Sequence, residues 1–347
     1  MAFTTLAAGS GVELSYTDSG VPTESRDSYT TIVAIHGMCF TNLIFERMKA
    51  VAYEKGIRII APNRRSFPGS TELSSEDFNV LMTGGTHEER DTMIQARGHE
   101  IATFIDTSIQ TLNLCPISDD GQSGGIILLG WSLGAALALA AIAHSTTLPI
   151  EARGRLSKYI RSLVLYESAP IVLGLPTPEQ NWAPLVDTSI PEALRLPAFG
   201  QWCTAYFDHG DLTKRDLNSL SWVLGSKRRV PTIYNIPEAQ LKEMECYGPE
   251  AISDLPFLFH FAKQLEASYR KAFYDPEILE AFPKMKLTYI TGDKTGAFGI
   301  AGLWALQDDE KEAGGKRPVD YRIIPGINHF WHWDEPEKAL EGFLACA

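Results

Sequence analysis

One serine in this chain sits where a hydroxyl can be made into a nucleophile. Ser132 is the centre of Gly130-Trp131-Ser132-Leu133-Gly134. The run before it, Gly125-Ile126-Ile127-Leu128-Leu129, reads as a buried strand, and Ala135-Ala136-Leu137-Ala138-Leu139-Ala140-Ala141 after it reads as a helix. Strand, sharp turn and helix, with glycines two residues to either side of a serine, make a nucleophile elbow. The turn holds the serine in a strained conformation, and only glycine-sized neighbours let the two backbones pass so closely. A free serine hydroxyl is a weak nucleophile at neutral pH and needs a base. His329 and His332 both follow the last apolar run and could serve. Carboxylates able to orient such a base stand at the ends of two other apolar runs: Glu167 after Leu163-Val164-Leu165-Tyr166, and Asp293 after Gly292.

The elements that must position these groups can be read from periodicity. Residues 12–17 alternate as an antiparallel strand does, and the segments 31–35, 57–62, 125–129, 161–166, 286–292 and 320–325 read as further strands, buried in the sheet. Residues 87–114 carry a helical pattern. Strands alternating with helices predict an α/β fold with a mostly parallel central sheet covered on both faces. Ligands in such folds bind beyond the carboxyl ends of the strands, where Ser132, Glu167, Asp293 and His329 all fall. Residues 170–281 break the alternation and are rich in proline and aromatics, which predicts a helical cap inserted into a core of residues 1–169 and 282–347. Most of those aromatics are expected in the cap's own core. Trp131, Phe40, Trp182, Trp202, Tyr206 and Trp222 are the candidates for a substrate pocket. The acidic run at 308–312 reads as a solvated helix face or loop.

Composition narrows the partners. The chain has 347 residues, 44% of them hydrophobic, and a formal net charge of −12 without a basic cluster, which argues against nucleic acid and anionic membranes as partners. Its five cysteines are scattered and without C-x-x-C pairs, so neither a disulfide framework nor a zinc site is expected. His329 and His332 have no third ligand cluster beside them, and no metal or cofactor is called for. The N-terminus lacks a basic segment followed by an apolar one, and no apolar run reaches membrane-spanning length. The expectation is a cytoplasmic protein acting on a small molecule.

Four features in order, His36-Gly37-Met38, Arg65-Ser66-Phe67-Pro68-Gly69-Ser70, the elbow at Ser132 and Gly326-Ile327-Asn328-His329-Phe330, resemble the α/β-hydrolase superfamily over nearly the whole chain. The resemblance implies a helical cap after the sixth strand of the core and His329, rather than His332, as the base. It also implies an oxyanion hole made by the backbone N–H groups of Leu133 and Met38. Most relatives place an aspartate three residues after the glycine that ends the seventh strand. Here that glycine is Gly292 and the position holds Thr295, which cannot hold an imidazolium electrostatically. Leu165-Tyr166-Glu167-Ser168-Ala169-Pro170 is similar to the subset of zearalenone-lactonase-like fungal hydrolases that use a glutamate after strand six. Glu167 is therefore the expected acid and Asp293 the alternative.

The leading expectation is a serine hydrolase cleaving an ester or lactone of a small, mostly apolar molecule. An acyl transferase, C–C hydrolase or cyclase of secondary metabolism on the same fold is the alternative, and a ligand-binding receptor is a third. Serine at the elbow argues against haloalkane dehalogenase and epoxide hydrolase chemistry, which needs aspartate there.

Overall fold

The computed structural model describes residues 3–9, 11–23, 28–314 and 317–347, without the side chains of 249–251; Met1 and Ala2 of the N-terminal stretch lie outside the described residues. Eight strands form one sheet: β1 (Thr5–Gly9), β2 (Val12–Asp18), β3 (Thr30–Ile35), β4 (Ile57–Pro62), β5 (Ile126–Trp131), β6 (Ile160–Tyr166), β7 (Lys286–Gly292) and β8 (Val319–Ile324), in the order β1-β2-β4-β3-β5-β6-β7-β8. Pairs β1/β2 and β2/β4 are antiparallel and all others are parallel. The central strands β5 and β6 are buried along their whole length, as strands covered on both faces must be.

The order sets the place of the site. The chain steps outward from β3 to β4 and then returns to the other side of β3 to form β5. The loops after β3 and β5 therefore diverge to opposite faces and leave a crevice between them, the usual place for a ligand in an open parallel sheet. Those loops begin at His36 and Ser132.

Helices flank the sheet. The helix Gly134–Ala143, made of small and aliphatic residues, is buried at every position and packs against the long helix His87–Thr111. The long helix starts with a capping box, in which Thr86 and Glu89 each satisfy the other's backbone N–H. Between β6 and β7 lies the 170–281 stretch, which holds the helices Glu192–Cys203, Glu238–Met244, Pro249–His260, Ala262–Tyr274 and Pro276–Ala281 with short 3-10 turns between them. Its described residues add no strand to the sheet. The helix Ala262–Tyr274 packs on Gly134–Ala143. The acidic run is helical but not wholly solvated. Asp309 is turned inward, where it accepts hydrogen bonds from Tyr269 Oη and Arg270 Nη2, both at 2.6 Å. No helix among the described residues is long and apolar enough to cross a membrane.

Candidate active site

The elbow is as tight as its glycines imply. Ser132 has φ +54°, in the left-handed region that a non-glycine residue enters only when its surroundings force it. Its N–H donates to Tyr166 O at 2.8 Å, which ties the turn to β6. A Cβ at Gly130 would come within 2.4 Å of Ala135 Cα, and one at Gly134 within 2.2 Å of Ile35 O. Both contacts are with backbone, so neither position tolerates a side chain. Gly37, in the loop after β3, would place a Cβ 2.8 Å from Ser132 Cβ. The helix Gly134–Ala143 starts directly behind the serine and points the positive end of its dipole there.

Glu167 is also at positive φ (+59°), and its N–H donates to Ile290 O at 2.8 Å. Its carboxylate is fully buried and turned across the ends of β7 and β8. One oxygen accepts from Gly292 N–H at 2.7 Å and Thr291 Oγ1 at 3.3 Å. The other accepts from Thr295 Oγ1 at 2.5 Å and lies 3.2 Å from His329 Nδ1. Thr295, three residues after Gly292, is thus a donor to the glutamate. Asp293 points elsewhere: its carboxylate accepts from Gly326 N–H at 2.6 Å and staples the turn before the histidine.

His329 is held on all sides. Its carbonyl accepts from Trp131 Nε1 at 3.1 Å, and Phe298 stands edge-on to its ring with centroids 5.0 Å apart. The preceding Asn328 is buried and donates to Thr204 O and Thr232 Oγ1, both at 2.9 Å, joining the histidine loop to the 170–281 stretch. A carboxylate can only accept, so Nδ1 of His329 carries the proton and Nε2 is left as an acceptor. His332 is wholly buried among Phe45, Trp131 and Phe330, with Nδ1 3.3 Å from Tyr166 Oη. Burial, reinforced by the nearby His329, pushes its pKa well below the usual histidine value.

Ser132 and His329 face one cavity of about 200 Å³, although among the described contacts they do not hydrogen-bond to each other. Met38 and Leu133 line the same space. Neither backbone N–H is used by a protein acceptor among the described hydrogen bonds. The rest of the wall is apolar except for Thr177 and Asn181, and no Asp, Glu, Lys or Arg contributes to it.

Five of the six aromatics expected to line a pocket do not line this one. Trp131 lies beneath it, buried, as the support of the His329 carbonyl. Phe40 is core packing against Trp131 and Phe330. Trp182 lies behind the wall, edge-on to Trp202, and donates through Nε1 to Asp187 at 2.9 Å. Tyr206 donates its hydroxyl to Asp334 and is covered by the Arg229 guanidinium. Trp222 donates to Leu217 O at 3.0 Å. Trp202 alone among the six lines the cavity. The sequence reading missed Phe199, Phe259 and Phe298, three other aromatics of the wall. Phe298 carried a signal, because it opens the first turn of a helix that begins just after β7.

Two more buried groups, His36 and Arg64, had no role assigned from sequence. His36 Nε2 accepts the Arg64 N–H at 3.0 Å, and its Nδ1 donates to Gly37 O at 3.0 Å. Burial, with the Arg64 charge adding to it, holds this histidine neutral well below its usual pKa. The Arg64 side chain forms a bidentate pair with Asp254 at 2.8 and 2.6 Å.

Known structures share this architecture. Bromoperoxidase from Bacillus anthracis superposes with a TM-score of 0.54 at 17% identity, covering 99% of this chain and 98% of that one. The thioesterase domain from the curacin biosynthetic pathway gives 0.51 at 15%, with coverage of 99% and 98%. The esterase EaEST from Exiguobacterium antarcticum gives 0.50 at 17%, again with 99% and 98%. At such identities the likeness is one of fold. A search of curated proteins finds no match. The profile of the alpha/beta hydrolase family, however, matches residues 32–341, and with the elbow, the sheet order and the topology in agreement the chain belongs to that family.

Proposed function

We propose that this protein is a serine hydrolase that cleaves an ester or lactone bond in a small, neutral, mostly apolar molecule. One observation carries the reading: His329, held through Nδ1 by the buried Glu167, opens with Ser132 onto a single apolar cavity. In this reading Ser132 Oγ attacks the carbonyl carbon and its proton passes to His329 Nε2. The developing oxyanion is met by the N–H groups of Met38 and Leu133 and by the dipole of the helix behind the serine. The tetrahedral adduct collapses to an acyl-enzyme, and the imidazolium returns its proton to the departing alkoxide. Water then attacks the acyl-enzyme with the same histidine as base, and the acid leaves. Glu167 fixes the tautomer and stabilises the imidazolium. Four donors face its two oxygens and hold the carboxylate in place.

The 170–281 stretch is the lid in this account, supplying Ile171, Val172, Ala183, Leu185, Trp202 and Leu258 to the wall. The wall favours substrates that bring no charge, because a charge moved into such a site would lose its hydration without gaining a partner. The test is a rate survey over aryl esters of graded acyl length and over macrolactones. Ser132→Ala is expected to stay folded and to lower kcat on the best substrate by about 10⁶-fold, by analogy with other serine triads. Near-normal turnover by Ser132→Ala would sink the reading, as would failure of the wild type on every ester and lactone.

A further inference from the structure

The loop after β3 is held from the 170–281 stretch by two separate ties. The first is backbone. Cys246 N–H donates to Cys39 O at 2.8 Å and Thr41 N–H donates to Met244 O at 2.7 Å, with Phe40 and Glu245 paired as an antiparallel bridge. The second is ionic. Asp254, on the helix Pro249–His260 that follows this bridge, takes both Nη atoms of Arg64, and both side chains are buried. Arg64 Nη2 donates in turn to Gly37 O at 3.0 Å, the same oxygen that accepts His36 Nδ1 at 3.0 Å. The guanidinium carbon lies over the Phe67 ring, 4.5 Å from its centroid.

The oxygen being held is one end of a rigid unit. Gly37 C=O and Met38 N–H belong to the same planar, trans peptide group. Fixing the direction of the carbonyl therefore fixes the direction of the N–H on the opposite side. That N–H belongs to a residue of the Ser132 cavity.

We propose that Arg64 and Asp254 are positioning residues for the Met38 N–H: the lid, through Asp254, locks the guanidinium that holds the 37–38 peptide in register with Ser132. Lid docking and the geometry of the oxyanion hole are then one event. The inference rests on the proposed role of Met38 in catalysis, but the clamp has a consequence independent of activity, in the mobility of the loop itself.

The test uses the full chain and two variants. Asp254→Asn keeps one acceptor for Arg64 and loses the ion pair. Arg64→Met/Asp254→Leu removes both charges together and so leaves neither charge buried without the other, a replacement that commonly keeps a protein folded. Backbone hydrogen exchange over residues 37–41 is read by mass spectrometry beside steady-state kinetics on the best aryl ester. The clamp predicts at least tenfold faster exchange over 37–41 in both variants. It predicts kcat lower by ten- to a hundredfold with KM within about twofold of wild type. It also predicts that a boronic acid that places an oxygen in the hole binds more weakly, in proportion to kcat/KM. A mere staple for the lid predicts instead that the double variant, once its melting temperature matches wild type, recovers wild-type kcat. That recovery, or unchanged exchange over 37–41, overturns the clamp. Faster exchange over 37–41 in a protein whose wild type hydrolyses no ester upholds the clamp and rejects the hydrolase reading.

Discussion

Replacing Glu167 with glutamine exchanges one oxygen for an amide nitrogen and leaves the volume almost unchanged, so its effect can be worked out bond by bond. All four partners of the carboxylate, Gly292 N–H, Thr291 Oγ1, Thr295 Oγ1 and His329 Nδ1, can donate to it. The backbone N–H of Gly292 cannot become an acceptor, so the glutamine must turn its carbonyl oxygen toward Gly292. Its NH2 group then faces Thr295 and His329. The threonine hydroxyl can rotate to accept. The imidazole can accept at Nδ1 only by moving its proton to Nε2, the atom that receives the proton of Ser132 in the proposed mechanism. The variant therefore stabilises the wrong tautomer in an otherwise intact site. A tautomer error of this kind costs about 10⁴ in kcat, or roughly 5.5 kcal/mol of barrier. Asp293→Asn is the matched control. The side-chain bond it makes among the described residues, from Gly326 N–H at 2.6 Å, can be accepted equally well by an amide oxygen, so the loss should stay within about tenfold. Initial rates of both variants on one aryl ester, with melting temperatures to confirm folding, decide the matter. Equal losses, or a larger loss from Asp293→Asn, would refute the assignment of Glu167.

Three further outcomes follow from the same geometry. Gly37→Ala sets a Cβ 2.8 Å from Ser132 Cβ, and pushing the serine off line should lower kcat at least a hundredfold while overpacking costs about 1–3 kcal/mol of stability; wild-type rates in the variant would show that the close approach is not needed. Phe259, on the cavity wall yet 53% exposed, can take Phe259→Asp without a core defect, and KM for long-chain apolar esters should rise about tenfold with kcat little changed; unchanged KM across chain lengths would contradict an apolar binding wall. His36 and His332 are buried with pKa values well below the usual range. The unfolded chain binds their protons near pH 6.5 and the folded one does not, so their contribution is fully present above about pH 6.5 and is lost as pH falls, at roughly 1.4 kcal/mol per unit for each group. The melting temperature should therefore drop steadily from pH 6.5 to 4.5, and His332→Phe should flatten the slope; a melting temperature that is constant or rises over that range would contradict the buried neutral state.

The sheet was legible because most of its strands carry short stretches rich in aliphatic and β-branched residues between turn residues. The runs at 57–62 and 286–292 coincide with β4 and β7, those at 31–35 and 161–166 miss the first residue of β3 and β6, and that at 320–325 is shifted by one residue from β8. What escaped was short or weakly patterned. The edge strand β1 reads Thr-Leu-Ala-Ala-Gly, with one fully buried position, and the helix Ser75–Thr83 has only two buried residues to set a period. Around the site, residues at strand ends were placed easily, because a strand's last residue has nowhere else to go: Ser132 after β5, Glu167 after β6 and His329 beyond β8. The direction of Asp293 away from the histidine depends on the turn at Gly326, which periodicity does not describe. The wall of the cavity was the least legible part. In an irregular stretch of short helices and 3-10 turns no repeat says which face of an aromatic looks inward. Large rings such as Tyr206 and Trp222 went to hydrogen bonds with Asp334 and Leu217, while Ala183, Leu185 and Val172 came to the surface of the cavity. Arg64 and Asp254 lie 190 residues apart, and nothing in either's local sequence announces the other.

The claim on which the rest depends is that Ser132 is a nucleophile activated by His329. It is tested most directly by treating the wild-type protein with a fluorophosphonate and reading the intact mass and the labelled peptide. The account predicts stoichiometric addition of one phosphonyl group, on Ser132, with loss of activity in step with labelling. It predicts no labelling of Ser132→Ala and slowing of several orders of magnitude in His329→Ala. An unmodified wild-type protein, or a label on any residue other than Ser132, would contradict it.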